Sequence, residues 1–257
     1  MHPILFEVGP LKIFTYGFFL ALAFLSAVYL AGREAQRLGL PVGRFYDLCF
    51  YIILAAVVGS RLVYVLLDLK SFLAHPKKIF ALWEGGLVFH GGVVLALVVA
   101  FYYMKVHNLP WRTCLDSLAV GTPVGQFFGR LGCFMAGCCY GSPSNLPWAV
   151  TFASPESLCP VKEPLHPAQL YEAFLALGVF AVIYNFRTRK RYDGQMVLIY
   201  FGLACLVRFT VEIFRHPGDY RGPMLWGWMP LTQVVALGIA LTCGALLWWW
   251  GRRQPAG

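Results

Sequence analysis

The chain has 257 residues, of which 59% are hydrophobic and 13% charged, and its mean hydropathy is +0.64. A soluble domain carries about a quarter charged residues, so this composition excludes an ordinary soluble protein and indicates a membrane protein. The net charge of +9 at pH 7 is large enough to suggest a nucleic-acid partner, but the positions of the basic residues, given below, argue against one.

Seven apolar segments are long enough to cross about 30 Å of hydrocarbon as helices. In chain order they are residues 12–32, 47–67, 88–106, 114–135, 166–186, 195–214 and 230–250. Only Lys12 stands ahead of the first apolar run and no small-residue cleavage site follows it, so we predict no cleavable signal peptide. We therefore expect a single all-α integral membrane domain over residues 1–257, with about seven transmembrane helices embedded in the lipid bilayer.

The basic residues between these spans predict the orientation. An odd number of spans puts the termini on opposite sides of the membrane, and lysines and arginines favour the cytoplasmic side. Segments 33–44, 105–112 and 187–191 are basic with few acids, whereas acids dilute the basic residues of the alternate loops. We therefore predict an external N-terminus and a cytoplasmic C-terminus, with anionic-lipid contact as a secondary role for "RTRKR" at 187–191.

The longest segment between spans, about 136–165, is predicted to lie on the outer side. It contains Pro143, Pro147, Pro155, Pro160 and Pro164. Prolines at this density favour an irregular loop or a short strand pair over a helix. A long loop above a membrane bundle is often functional, with a solvated connector as the alternative.

Ionisable and polar residues from separate spans are predicted to lie at one depth. Charges inside a membrane span are costly, so each one is a candidate for function. From the helical rise of about 1.5 Å per residue, we place one group of side chains in a single layer in the outer half of the membrane. The group is Tyr16, Arg61, His90, Arg130, Gln169, Tyr171, Glu172, Arg208 and Glu212.

The charges in this layer favour binding of a phosphate group. Arg208 and Glu212 are four residues apart and are predicted to form an ion pair, for which a purely structural role is the alternative. Arg61 and Arg130 have no acid three or four residues away on their own helices. A guanidinium matches phosphate geometry, so a lipid phosphate could neutralise the excess positive charge.

His90 lies next to Gly91 and Gly92 in "EGGLVFHGG". The glycines either let two backbones approach closely or expose N–H groups to an anion. The histidine is either a hydrogen-bonded structural residue or a general base.

The stretch "GRLGCFMAGCCYG" at 129–141 combines small residues suited to helix packing with three cysteines. A zinc site is weakly indicated, because the CxxxxCC spacing has no paired CxxC and no adjacent histidine. We expect Cys133 to be a reduced thiol, one helical turn from Arg130, that lines a pocket within the layer of polar side chains. We also expect a disulfide from Cys138 or Cys139 to Cys159 in the outer loop.

Several motifs of this chain occur together in one family. They are Tyr16-Gly17 in the N-terminal segment, "GSRLVY" at 59–64, "WEGGLVFHGG" at 83–92, "GRLG" at 129–132 followed by Gly141, "HPAQLYEA" at 166–173 and "RFTVEIFRHP" at 208–217. Over nearly its whole length the chain resembles prolipoprotein diacylglyceryl transferases, the bacterial membrane enzymes that begin lipoprotein maturation.

The chain departs from the family pattern at three positions. The family usually has an asparagine at the position of Cys133, an acid at that of Cys138 and a tyrosine at that of Ala204. The resemblance is therefore compatible with a subgroup that uses cysteines in its signature or with a paralogue that transfers a lipid group to another acceptor.

The resemblance implies a reaction at the inner membrane between phosphatidylglycerol and the lipobox cysteine of a prolipoprotein signal peptide, without a cofactor or metal. The thiolate attacks a glycerol carbon and glycerol phosphate leaves. The implied catalytic residues are Tyr16, His90, Arg130, Arg208 and Glu212. The implied substrate-binding residues are Arg61, Gly91, Gly92, Arg130, Cys133, Cys138, Gly141, Gln169, Tyr171, Glu172 and Arg208.

The residues alone leave two other functional classes open. The cysteines suggest a membrane thiol-disulfide oxidoreductase, although neither a CxxC pair nor a quinone site is evident. The intramembrane charges suggest a transporter, although transporters tend to show internal repeats and polar groups at mid-membrane rather than toward one face.

Overall fold

The computed structural model describes residues 2–8, 11–81, 86, 88–216, 223–225 and 227–253. Its chain contacts divide it into unit 1, Met1–Glu34 with Leu115–Gly257, and unit 2, Ala35–Cys114. The α-helices of the described residues are α1 Thr15–Arg37, α2 Val42–Leu67, α3 Leu69–Ala74, α4 Phe89–Val106, α5 Trp111–Ala136, α6 Ala168–Phe186, α7 Gln195–Glu212 and α8 Leu231–Arg253.

Two short antiparallel hairpins accompany the helices. Strands β1 Ile4–Val8 and β2 Leu11–Phe14 precede α1, and strands β3 Met224–Leu225 and β4 Met229–Pro230 precede α8. The fold is therefore predominantly helical, as the composition predicted.

Each predicted span coincides with one long helix. Six of these, α1, α2, α4, α6 with its following turn, α7 and α8, are long and apolar enough to cross a membrane. The other long helix of the described residues, α5, carries Arg112, Asp116 and Arg130. The number of spans and their orientation stay predictions.

The α2–α4 pair in unit 2 depends on glycines at the helix contact. A Cβ at Gly59 would lie 2.5 Å from the carbonyl oxygen of Gly91, and one at Gly92 would lie 2.7 Å from that of Ala56. Both distances are too short for a side chain, so these positions permit close backbone approach between the two helices.

In unit 1, α5 and α7 are joined through the buried carboxylate of Asp116. It accepts hydrogen bonds from the backbone N–H groups of Gly194 at 2.9 Å and Val197 at 3.1 Å. The Nζ of Lys190 lies 3.2 Å away. Because the first N–H groups of a helix have no partner within it, Asp116 supplies a cap for α7 from a neighbouring helix.

The segment between α5 and α6 is irregular, as its prolines predicted. All of its residues are described, and it contains no helix between 137 and 167. Isolated bridges join Leu165 to Pro143 and to Val150. Phe152 and Leu165 are fully buried in a cluster with Tyr140 and Cys159, so the loop has an apolar core of its own.

Candidate active site

A network of two arginines and two glutamates joins α5, α6 and α7 within unit 1. The Nη2 of Arg130 on α5 lies 2.7 Å from Oε1 of Glu172 on α6. The other oxygen of Glu172 lies 3.9 Å from Nη1 of Arg208 on α7, and Nη2 of Arg208 lies 2.6 Å from Glu212. The predicted Arg208–Glu212 pair is confirmed, and Glu172 links the two arginines.

The four side chains of this network differ in burial. Glu212 is fully buried and Glu172 is 14% exposed, whereas Arg130 and Arg208 are 25% and 26% exposed. The carboxylates therefore lie behind the guanidinium groups. Because each guanidinium has five N–H donors, part of its donor surface can still bind an anion.

The segment after α5 is attached directly to α6 and α7. The N–H of Gly141 donates to the carbonyl of His166 at 3.1 Å, and the N–H of Ser142 donates to that of Phe214 at 2.8 Å. A Cβ at Gly141 would collide with the His166 carbonyl and lie 2.8 Å from the Phe214 oxygen. Only glycine fits here, so Gly141 fixes the spacing of the elements that carry the charges.

The three cysteines of the stretch at 129–141 converge on one point. The sulfurs of Cys133, Cys138 and Cys139 all lie within 4.8 Å of one another. Cys139 is close enough to Arg130 to hydrogen-bond to its guanidinium. The turn after α5 brings together thiols that the CxxxxCC spacing did not predict to be neighbours, and no described histidine joins them.

The predicted disulfide to Cys159 is wrong, because none of the eight cysteines, all of which lie in the described residues, forms a disulfide. Cys159 is buried beside Phe152 and its thiol donates to the carbonyl of Val161. Cys138 instead donates to the carbonyl of Cys133 at 3.7 Å. The loop is therefore held by apolar packing rather than by a bridge.

Hydrogen bonding within the cluster affects the acidity of Cys139. Bonds from the thiols of Cys133 and Cys138, followed by the positive charges of Arg130 and Arg215, lower the pKa of the Cys139 thiol against the opposing effect of burial. The positive charges of Arg130 and Arg215 therefore favour a thiolate at this cluster.

The start of α6 contributes polar groups next to the cysteines. Gln169 is 1% exposed, and its Nε2 donates to the carbonyl of Cys138 at 2.7 Å. Its Oε1 is buried without a hydrogen-bond partner in the described residues. Tyr171 accepts a hydrogen bond from the indole N–H of Trp148 at 2.8 Å.

Tyr16, at the start of α1, belongs to the same neighbourhood. A Cβ at Gly132 would lie 3.2 Å from the Tyr16 ring, so the tyrosine packs against the last turns of α5. It also lies close enough to Arg130 and Cys133 to interact with both electrostatically. Tyr16 therefore lies in the same part of unit 1 as Arg130.

Arg61, in unit 2, is surrounded by backbone carbonyls. Its Nε donates to Ile79 at 3.0 Å and its Nη1 donates to Gly86 at 3.2 Å. Its Nη2 donates to the carbonyls of Lys78 and Ala81. These bonds favour a structural role in holding the segment after α3, and they leave few N–H donors for a phosphate.

His90, Gly91 and Gly92 form the first turn of α4 in unit 2. His90 is exposed and contacts the ring of Phe89. The N–H groups of both glycines point to the carbonyl of Val88, at 3.1 Å and 3.4 Å. The geometry therefore favours close helix packing over anion binding for the two glycines.

Two residues of unit 1 belong to this region although sequence reasoning did not select them. Arg215 is 7% exposed and lies close enough to Arg208 and Cys139 to interact with both electrostatically. His166 lies 3.2 Å from the Tyr171 hydroxyl. His166 opens the "HPAQLYEA" motif and Arg215 lies three residues after Glu212, so their motif positions were the available signal.

These features define a polytopic membrane protein whose helices carry a partly buried network of arginines and glutamates. Comparison with known proteins specifies the family. The sequence profile of prolipoprotein diacylglyceryl transferases matches residues 3–250, and the chain belongs to this family.

Several relatives match along their length. A phosphatidylglycerol–prolipoprotein diacylglyceryl transferase of Pseudomonas putida strain F1 is 33% identical over 99% of this chain and 96% of its own length. Enzymes of the same name from Methylococcus capsulatus and Solidesulfovibrio magneticus are 35% and 34% identical, over 94% and 98% of this chain and 92% and 95% of their own lengths.

Proposed function

We propose that the protein transfers the diacylglyceryl group of phosphatidylglycerol to the lipobox cysteine of prolipoprotein signal peptides in the bacterial cytoplasmic membrane. The relatives' names supply this pair of substrates. The observation that carries the proposal is the network in which Glu172 links Arg130 to Arg208. It presents two guanidinium groups from different helices toward one region.

The arginines bind the phosphate of the lipid. A guanidinium donates two parallel hydrogen bonds to phosphate oxygens, and such charge-assisted bonds are roughly twice as strong as neutral ones. Glu172 and the fully buried Glu212 hold the guanidinium groups in place before the lipid arrives. The site therefore needs little reorganisation when charge develops on the leaving group.

The reaction is a displacement at carbon. The substrate thiolate forms a carbon–sulfur bond with the glycerol CH₂ of the diacylglyceryl group, and the carbon–oxygen bond to phosphate breaks with its electron pair on oxygen. Glycerol phosphate leaves with one more negative charge on its phosphate, which Arg130 and Arg208 stabilise. Because this charge is largest late in the reaction, the arginines favour the transition state over the bound lipid.

A base is needed to remove the thiol proton. The family motif favours His90 in this role, and His166 is a second candidate, because it lies in unit 1 with the arginines and contacts Tyr171. Initial-rate transfer separates them. Alanine in place of the base should lower kcat/KM by about 100-fold or more, whereas alanine in place of the other histidine should lower it much less.

Transfer is tested with the purified protein in vesicles. The vesicles contain phosphatidylglycerol or, as a control, phosphatidylethanolamine, and the acceptor is a lipobox peptide with its cysteine or with serine. The proposal requires a thioether-linked diacylglyceryl product by mass spectrometry only for the phosphatidylglycerol and cysteine combination. Modification of a different thiol and not of the lipobox peptide would indicate a paralogue with another acceptor.

A further inference from the structure

The cluster of Cys133, Cys138 and Cys139 has the geometry of a metal site. Their sulfurs lie within 4.8 Å of one another. A zinc ion with Zn–S bonds of about 2.3 Å holds its sulfurs about 3.8 Å apart, so the thiols need to move by only about 1 Å. Thiolates are soft ligands that select zinc over magnesium or calcium.

The backbone after α5 is shaped to bring these thiols together. Gly137 and Cys139 have φ angles of 79° and 59°. The N–H groups of Gly137 and Cys138 both donate to the carbonyl of Cys133, at 2.9 Å and 3.2 Å. A cysteine in the left-handed region is uncommon and strains the backbone. Strain of this kind is expected where side-chain direction matters more than stability.

The surroundings hold this strained turn in place. A side chain at Gly137 would collide with Ser157 and lie 3.2 Å from the ring of the fully buried Phe152. The amide of Gln169 is bonded to the carbonyl of Cys138. The cysteines are therefore fixed from the loop on one side and from α6 on the other.

The cluster offers three ligands rather than four. Among the described histidine, cysteine, aspartate and glutamate side chains, only these three cysteines meet at this point. Structural zinc sites have four protein ligands, whereas zinc sites that act on a substrate have three and an open position. With three cysteines and no fourth ligand among the described residues, the cluster matches a zinc site that acts on a substrate.

We propose that Cys133, Cys138 and Cys139 bind a Zn²⁺ ion whose fourth position accepts the thiolate of the acceptor cysteine. The identity of the acceptor rests on the proposed function. A thiol bound to zinc is deprotonated, so the site supplies the thiolate that the reaction needs. The metal also holds the sulfur near Arg130, which interacts with Cys139 and is assigned to the lipid phosphate.

The chemical step balances without an oxidant or reductant. The histidine base takes the proton of the substrate thiol as its sulfur binds the metal, and the sulfur then forms the bond to the glycerol carbon while glycerol phosphate leaves and takes up a proton. The thioether product is a neutral and weaker ligand than a thiolate, so it leaves the metal. The oxidation state of zinc does not change.

Metal content tests the site itself. The full-length protein is purified in detergent with a phosphine reductant, and zinc is measured by mass spectrometry. We expect about one zinc ion per chain in the wild type, and at least about tenfold less in Cys133→Ser, Cys138→Ser and Cys139→Ser. The matched control is Cys205→Ser on α7, which should retain its zinc. Equal zinc in all four variants overturns the proposal.

Cobalt exchange tests the open position. Protein in which Co²⁺ replaces zinc should show sulfur-to-metal charge-transfer absorption. A lipobox peptide with cysteine should increase this absorption and the serine peptide should not. An unchanged spectrum with both peptides overturns the substrate-binding role, and a disulfide among the three cysteines of the freshly isolated protein overturns the metal site.

Activity separates this proposal from the function on which it rests. Removal of zinc from the wild type with a chelator should reduce thioether formation in phosphatidylglycerol vesicles at least about tenfold, and added zinc should restore it. Full activity of the zinc-free protein overturns the zinc proposal and leaves the transferase function intact. A peptide-dependent cobalt spectrum without any thioether product supports the zinc site and contradicts the transferase function.

Discussion

At the scale of single residues, the arginines of unit 1 are distinguished by what surrounds them. Arg130 and Arg208 share Glu172 and remain about a quarter exposed, so they are oriented but accessible. Arg61 is 6% exposed and bonded to carbonyls. A guanidinium already surrounded by acceptors stabilises the fold, whereas one held from behind by a carboxylate can bind an anion in front.

We expect Arg130→Ala and Arg208→Ala each to reduce kcat/KM for phosphatidylglycerol by about 2–4 kcal/mol, which is roughly 30-fold to 1,000-fold. Each variant loses a charge directed at the phosphate. The measurement is initial-rate transfer in vesicles, with size-exclusion chromatography in detergent to verify folding. Arg189→Ala, at an exposed position beyond α6, is the control and should keep normal kinetics. Equal losses at all three positions would point to a general charge effect at the membrane surface.

The sequence predicted part of this site because helical periodicity and depth are local properties. Arg130, Glu172 and Arg208 fall at one level when the spans are aligned, and the structure brings them together. The convergence of Cys138 and Cys139 on Cys133 depends on two positive φ angles, which residue spacing does not reveal. The carbonyl environment of Arg61 depends on a segment 17–25 residues away, and such nonlocal contacts leave no periodic signal.

At the scale of elements, the site depends on hydrogen bonds that join α7 to its neighbours at both of its ends. Near the charges, Gly141 and Ser142 attach the chain after α5 to the start of α6 and the end of α7. At the other end of α7, Asp116 of α5 binds its first N–H groups. Seven helices were predictable from hydropathy, but neither connection was, because each is made between residues distant in sequence.

Gly141→Ala should destabilise the site, because the new methyl group collides with the backbone carbonyls of His166 and Phe214. We expect a loss of about 1–3 kcal/mol in unfolding free energy and a decrease in transfer. The unfolding midpoint during SDS titration of mixed micelles measures the first, and the vesicle assay measures the second. Gly178→Ala is the matched control, since no atom beyond its chain neighbours and the adjoining backbone of its own helix lies within 4 Å of its Cβ position. It should be neutral or slightly stabilising; a similar loss there would show that the effect is not local.

Asp116→Ala should be more destabilising than Asp193→Ala, although both remove an ion-pair partner of Lys190. Asp116 is fully buried and also accepts two backbone hydrogen bonds, so its loss leaves buried donors unpaired at a cost of about 3–5 kcal/mol. Asp193 is 54% exposed, and an exposed pair contributes about 0–1 kcal/mol. The same SDS titration compares the variants, and equal midpoints would show that Asp116 does not cap α7.

At the scale of the whole molecule, the charged ends of the helices in unit 1 are chemically different. Glu172 lies near the start of α6, with the loop of residues 137–167 before it, whereas the basic segment 187–191 follows its end. Glu34, near the end of α1, lies 3.6 Å from Arg187, so the basic ends of α1 and α6 lie together. The candidate site and the basic segments therefore belong to opposite ends of α6.

This arrangement predicts that the site faces the outer half of the membrane. Basic segments favour the cytoplasm, so reporter fusions after residues 40, 110 and 190 should all give cytoplasmic signals, fluorescent with green fluorescent protein and inactive with alkaline phosphatase. A fusion after residue 145, in the loop above the site, should give the reverse. The cause is tested by removing the positive charges. The cytoplasmic signal at 190 should weaken when glutamine replaces Arg187, Arg189, Lys190 and Arg191. An external signal at 190 in the wild type would contradict the topology and place the arginines on the cytoplasmic side, where the acceptor cysteine of an exported prolipoprotein does not emerge.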